Sequence, residues 1–195
     1  MHDHRRINAA SIFPILILGL ALAGCSGNLA TTEFTNPNFN FGFIERLAVL
    51  PLEDLAGDRQ AGVRATRVLI TELLASGAVD VVEPGEVQAV VDRVVRGRGV
   101  PTNKEVIELG RELGVQAVMV GSVTQSEVLR SGAVSVPVVT LDLHLLETET
   151  GAAVWAVTHT EKGSGAAAKW LGTGAEPISE TTRKCVQKSL RSLFG

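Results

Sequence analysis

The run Ala117-Val-Met-Val-Gly-Ser-Val123 is almost uninterrupted in its apolarity. It is followed, after a turn near Ser131-Gly132, by Val139-Thr-Leu141-Asp-Leu143-His-Leu145, and beyond Thr148 to Gly151 by Ala152 to Thr160. A continuous apolar run of this length suits a central strand covered on both faces. The strict alternation on either side of Glu149-Thr150-Gly151 is a hairpin signal. With the turn centred on Glu149-Thr150, His144 is expected opposite Trp155 and Leu143 opposite Ala156. One face of the pair is then aliphatic core. The other carries Asp142, His144 and Trp155, with His159 a further candidate, a mixed surface suited to a helix or a partner.

Upstream, Leu47 to Leu50 reads as a short buried strand ended by Pro51. A helix is predicted from about Asp58 to Ala75, with Val63, Arg67, Ile70 and Leu74 on neighbouring turns and Gly77 as its stop. Val79 to Val82 is the next strand. Val87, Val90, Val91, Val94 and Val95 then recur at helical spacing, and Thr102 stands three residues before Glu105, the spacing of a capping box, opening a helix that stops at Gly114. A last helix spans Ile178 to Leu193, with Ile178, Cys185, Val186, Leu190 and Leu193 on one side. The order β-α-β-α-α-β-β-β-α predicts a layered α/β domain with a mixed sheet over residues 45–195.

The N-terminus decides where that domain works. Arg5 and Arg6 precede an apolar stretch, Ile12 to Gly24, of 13 residues, which closes on Leu22-Ala23-Gly24-Cys25. A membrane-crossing helix needs roughly 20 residues. Pro14 and Gly19 weaken an uncleaved anchor helix further. The box matches the cut of a bacterial lipoprotein signal, so residues 1–24 read as a signal peptide and Cys25 as the lipidated N-terminus. Ser26 stands where Asp often signals inner-membrane retention, and the outer membrane, on its periplasmic face, is the expected address. Residues 25–44, rich in Asn, Thr, Gly and Phe, read as a tether; the aromatic cluster of Phe34, Phe39, Phe41 and Phe43, some of whose members alternate, also allows a short strand or an edge cover.

Loss of the leader removes Arg5, Arg6 and Asp3 and leaves 16 basic against 20 acidic residues, a mature net charge of −4. No basic stripe is available for a nucleic acid. Of the two cysteines, an acylated Cys25 leaves Cys185 without an internal partner. His144, His159 and Asp142 do not reach the three or four convergent ligands of a zinc site. No G-x-S-x-G elbow accompanies them. Gly163-Ser-Gly165 through Lys169 lacks the Gly-Lys-Ser/Thr end of a phosphate loop, and Gly97-Arg-Gly99 lacks a third glycine. Neither a cofactor nor a catalytic constellation is expected.

Several short motifs occur in a fixed order: Arg46-Leu-Ala-Val-Leu-Pro-Leu-Glu-Asp54, Val81-Val-Glu83, Leu109-Gly-Arg-Glu-Leu-Gly114, Val118-Met-Val-Gly-Ser-Val-Thr124, Glu147-Thr-Glu-Thr-Gly151 and Val154-Trp155. In this order, behind a lipobox, they resemble the CsgG family of curli-secretion lipoproteins, whose core is shared with the activator LpoB and the N-terminal domain of TolB. The resemblance implies a non-enzymatic lipoprotein that binds envelope proteins and supports assembly or secretion of a surface structure. An LpoB-like activator of a peptidoglycan synthase and an oligomeric secretion-channel subunit are the alternatives, and a homo-oligomer remains open.

Pro84 and Glu147 depart from the family pattern. The channel members' two membrane hairpins have little room: Leu129 to Ser135 supplies 7 residues and Glu161 to Glu176 supplies 16. A crossing hairpin needs about 20 or more. As partner contacts the sequence offers Trp155 with His144, and Trp170 in the Gly- and Ala-rich segment.

Overall fold

The computed structural model describes residues 31–96, 99–131, 134–163 and 176–194. In chain order the elements are β1 (Thr31–Thr35), β2 (Arg46–Val49), β3 (Glu53–Asp54), α1 (Ala61–Ser76), β4 (Asp80–Val81), α2 (Pro84–Val94), α3 (Asn103–Leu113), β5 (Ala117–Ser131), β6 (Val134–Glu147), β7 (Ala153–Lys162) and α4 (Ile178–Phe194). The strands form one mixed sheet in the order β1-β7-β6-β5-β2-β4, with β3 added to β5. β2 pairs in parallel with β5 and β4, while β6, β7 and β1 continue antiparallel. This is the layered α/β fold expected from the element order, with β1 and β3 as additions.

Alternation along the strands divides the core. Leu47, Val49, Ala117, Met119, Leu141, Leu143 and Leu145 face α1 and α4; Ala48, Leu50, Val118 and Val120 face α2 and α3. β5 is therefore apolar on both sides, because helices cover both. The capping box of α3 forms as spelled, with the Thr102 hydroxyl accepting from the Glu105 amide and the Glu105 carboxylate accepting from the Thr102 amide. Within α3, Gly110 lies against the β6–β7 turn so closely that an added Cβ would stand 2.3 Å from the Thr148 Cβ.

The buried stripe of α1 differs from the expected one. Ala61, Gly62, Ala65, Leu69 and Leu73 face inward, while Val63 and Leu74 are exposed. The larger aliphatics suggested the opposite face. The small residues win because α1 packs close to the chain after β2, where a Cβ on Gly62 would lie 2.4 Å from the Leu52 carbonyl oxygen.

Two features shape the ends of the sheet. The segment read as a tether contributes β1, paired with β7 from Thr31↔His159 to Thr35↔Trp155, and Phe39 and Phe41 pack on the core. The short gap between the two long strands is itself strand: β5 and β6 pair to Ser131↔Val134. β2 accompanies β5 only to Met119 and β3 only to Val123, so the outer part of this hairpin projects beyond its neighbours among the described residues.

Candidate functional site

The register of β6 against β7 governs which side chains share a face. The pairs are Leu143↔Val157, His144↔Ala156 and Leu145↔Trp155, with a shift before Leu146↔Ala153. That irregularity displaces the pairing by one residue from the expected hairpin, and a one-residue displacement exchanges faces. Trp155 is therefore not beside His144. It is 0% exposed in the core against α4, and its indole Nε1 donates to Ser192 Oγ at 3.2 Å. His159 lies on the same inner face, buried, with Nδ1 2.6 Å from Thr31 Oγ1 and Nε2 3.3 Å from Glu161 Oε2. Glu161 in turn accepts from Lys188 Nζ at 2.7 and 2.9 Å. This chain of polar contacts ties β1, β7 and α4 together. A buried His–Glu pair is satisfied by such partners and has no need of a ligand.

The opposite face of β6, β7 and β1 is the open one. α2 and α3 cover β2, β4 and the start of β5, and no described helix crosses this half of the sheet. His144 Nε2 lies 3.2 Å from Asp142 Oδ2, and Thr158 donates its hydroxyl to Asp142 Oδ1 at 2.9 Å. Thr140 donates to Gln125 Oε1 at 3.2 Å and lies 3.0 Å from Thr160 Oγ1. Phe34, 50% exposed, stands opposite Ala156, which stands opposite His144. An aromatic ring, a small residue and an imidazole thus line up across three strands, flanked by hydroxyls. Phe34 comes onto this face only through β1, which the tether reading of residues 25–44 left as one option for its aromatic cluster.

Among the described residues no group of three or more His, Cys, Asp and Glu side chains is placed to hold a metal. Cys185 is fully buried, its Sγ 3.5 Å from the His159 carbonyl and 3.6 Å from that of Val139, and burial pushes the thiol up to about 12. A thiol held protonated is a packing group, not a nucleophile. At the β6–β7 turn, Glu147 closes the loop: it accepts from the amides of Glu149 at 2.7 Å and Thr150 at 3.0 Å, and from the Thr150 hydroxyl. Burial raises its carboxyl, but the Thr150 and backbone hydrogen bonds outweigh that and leave it below the usual carboxylate range. Cys25 and Trp170 lie outside the described residues. No helix among the described residues is long and apolar enough to cross a membrane.

Among solved structures, the chain is similar to the PelC dodecamer from Paraburkholderia phytofirmans, at 20% identity and a TM-score of 0.59 over 84% of this chain and 96% of that one. Lipoprotein GNA1162 from Neisseria meningitidis matches at 14% identity and a TM-score of 0.53, over 76% and 97%. The hypothetical protein CT253 from Chlamydia trachomatis matches at 10% and 0.52, over 76% and 95%. These likenesses establish the fold. No curated protein matches the chain. A family model does, the peptidoglycan-synthase activator LpoB, over residues 63–160, from the first turn of α1 to near the C-terminal end of β7. The match is to LpoB, which shares the core of the resemblance seen in the sequence, and curli secretion is not carried over with it. On this match, which spans half of the chain, the protein belongs to the LpoB family of peptidoglycan-synthase activators.

Proposed function

We propose that this protein is a non-enzymatic lipoprotein, anchored through Cys25 on the periplasmic face of the outer membrane, that activates a peptidoglycan synthase by direct contact. The observation that carries the reading is the family match over residues 63–160. The open face of β6, β7 and β1, with Phe34, Ala156 and His144 in line, supplies a contact surface of suitable chemistry: an aromatic anchor with hydrogen-bonding neighbours. The test is a purified synthase polymerising its lipid-linked precursor with and without the mature protein. A rate rise that saturates with added protein supports the reading, and an unchanged rate across candidate synthases refutes it.

A second reading is favoured by one observation. Five residues, Ser26 to Ala30, separate Cys25 from β1, so a domain seated this way stays near its anchor. At about 3.5 Å per residue the tether reaches roughly 21 Å, short for an activator working across the envelope. A domain held so near the outer membrane suits a role in assembly or secretion of a surface structure there, and the fold it shares with the PelC dodecamer is compatible with an assembly of several copies as the working form. The mass of the detergent-extracted lipoprotein decides: a closed oligomer supports this reading, and a monomer that stimulates the synthase supports the first.

A further inference from the structure

The register of the sheet fixes how far the β5–β6 hairpin stands out on the side of the anchor. Thr31, where the tether ends, is level with His159, His159 with Leu141, and Leu141 with Val123. From Leu141 the hairpin runs on to Val134, seven residues further, in the direction in which the chain leaves Thr31 toward Cys25. At about 3.3 Å per residue that is roughly 23 Å. The six steps from Thr31 to Cys25 reach at most about 21 Å when fully extended. The hairpin therefore projects at least as far as the tether does, and with the strands upright on the membrane its end meets the surface that holds the lipid.

The chemistry of that end fits the meeting. Val128 pairs with Pro137 on one face, and Leu129 pairs with Val136 on the other. Val128 is 48% and Leu129 44% exposed, although both lie in regular strand. Strands exposed to water are usually protected by charges. Here each face carries an exposed aliphatic residue and a single charge, Val128 with Arg130 on one and Leu129 with Glu127 on the other, and these are the only two charged residues between Gln125 and Pro137. Arg130 is of the length and charge to stay with phosphate headgroups while the aliphatic side chains go deeper.

We propose that the outer end of β5 and β6, through Val128, Leu129 and Val136, is a second membrane contact that dips into the interface of the same bilayer that holds the Cys25 lipid. The inference rests on lipidation of Cys25. The depth is interfacial: four residues on each strand beyond Glu127 and Val138 give about 13 Å, against the 9 to 11 residues per strand of a crossing. Interfacial elements bury their apolar faces by about 5–10 Å, which this hairpin reaches.

The mature lipoprotein, reconstituted in phosphatidylethanolamine–phosphatidylglycerol vesicles, carries the test. An environment-sensitive fluorophore is placed on Leu129→Cys, with Glu108→Cys on the exposed side of α3 as the comparison site; native Cys185 is buried and does not compete for label. The expected result is blue-shifted emission at position 129, with roughly half of it lost to nitroxide-bearing lipids, and neither effect at 108. Water-like emission at 129 overturns the inference, as does a blue shift without lipid quenching, which would assign the hairpin end to protein contact. Intact mass keeps the premises apart. An unmodified Cys25 removes the anchor and this inference with it, whereas an acylated protein with a solvated hairpin end overturns the inference alone.

Discussion

Trp155 Nε1 donates to Ser192 Oγ at 3.2 Å, joining the start of β7 to the last turn of α4. The indole is fully buried and its one polar atom is satisfied by the helix that covers it. Trp155→Ala is expected to destabilise the domain by about 3–5 kcal/mol, and Ser192→Ala by about 0.5–1.5 kcal/mol. Urea unfolding midpoints check both, and a cost under about 1 kcal/mol for Trp155→Ala would place the indole outside the core.

The distance between those two residues explains what the sequence hid. Alternation across Val139 to Leu145, the valine period of α2 and the Thr102–Glu105 box are local signals, and each produced its element. Pairing register is not local: the irregularity between Leu145 and Leu146 leaves no mark in the alternation, yet it carries Trp155 from the partner face to the core. The stripe of α1 is hidden from sequence for a related reason, since Ala61, Gly62 and Ala65 are buried by close approach and not by size. The open face was half legible. His144 and Asp142 stood out, while Phe34 entered only through a strand drawn from the tether.

Gly110 reverses the usual effect of a helical glycine. In an exposed helix interior, Gly→Ala stabilises by about 1 kcal/mol. Here the new methyl would meet Thr148 Cβ at 2.3 Å, Cγ2 at 2.6 Å and Oγ1 at 2.8 Å, while Thr148 is held by its own bond to the Val115 carbonyl at 2.8 Å. Gly110→Ala is expected to cost about 1–3 kcal/mol. A stabilised variant in thermal melts would show that α3 does not rest on the β6–β7 turn.

Glu147 makes stability depend on acid. Its carboxyl titrates lower in the folded protein than its ordinary 4.5, so the unfolded chain takes up the proton first. The contribution is complete above that value and is lost as pH falls through the lower, folded value. In Glu147→Gln the stability deficit relative to the native protein should be largest near neutrality and shrink below pH 4.5. A deficit constant between neutral and acid pH would show that the carboxylate form is not the one the Thr150 hydrogen bonds hold.

Phe34 separates contact from packing. It is half exposed on an edge strand, so Phe34→Ser should change unfolding free energy by no more than about 0.5 kcal/mol. As the aromatic anchor of the open face, it should weaken binding of the synthase by at least about 1 kcal/mol, roughly fivefold. Titration of synthase stimulation reads the second quantity. Unchanged half-saturation would move the contact surface away from β1, β7 and β6.

Cys25→Ser tests which of two attachments holds the domain. Each buried CH₂ of an acyl chain adds about 0.8 kcal/mol, so several chains give a tether that does not dissociate on the time scale of fractionation. The outer end of β5 and β6 offers only a few exposed aliphatic side chains, each contributing about 1.5–3 kcal/mol when fully buried and less at an interface. The lipid should dominate. Since β1 begins at Thr31, beyond the altered residue, the variant keeps its sheet and should appear as a folded protein in the soluble periplasmic fraction, with the unfolding midpoint of the native domain. Retention in the outer-membrane fraction would mean that the hairpin end, or a protein partner on the open face, carries more of the attachment than the acyl chains.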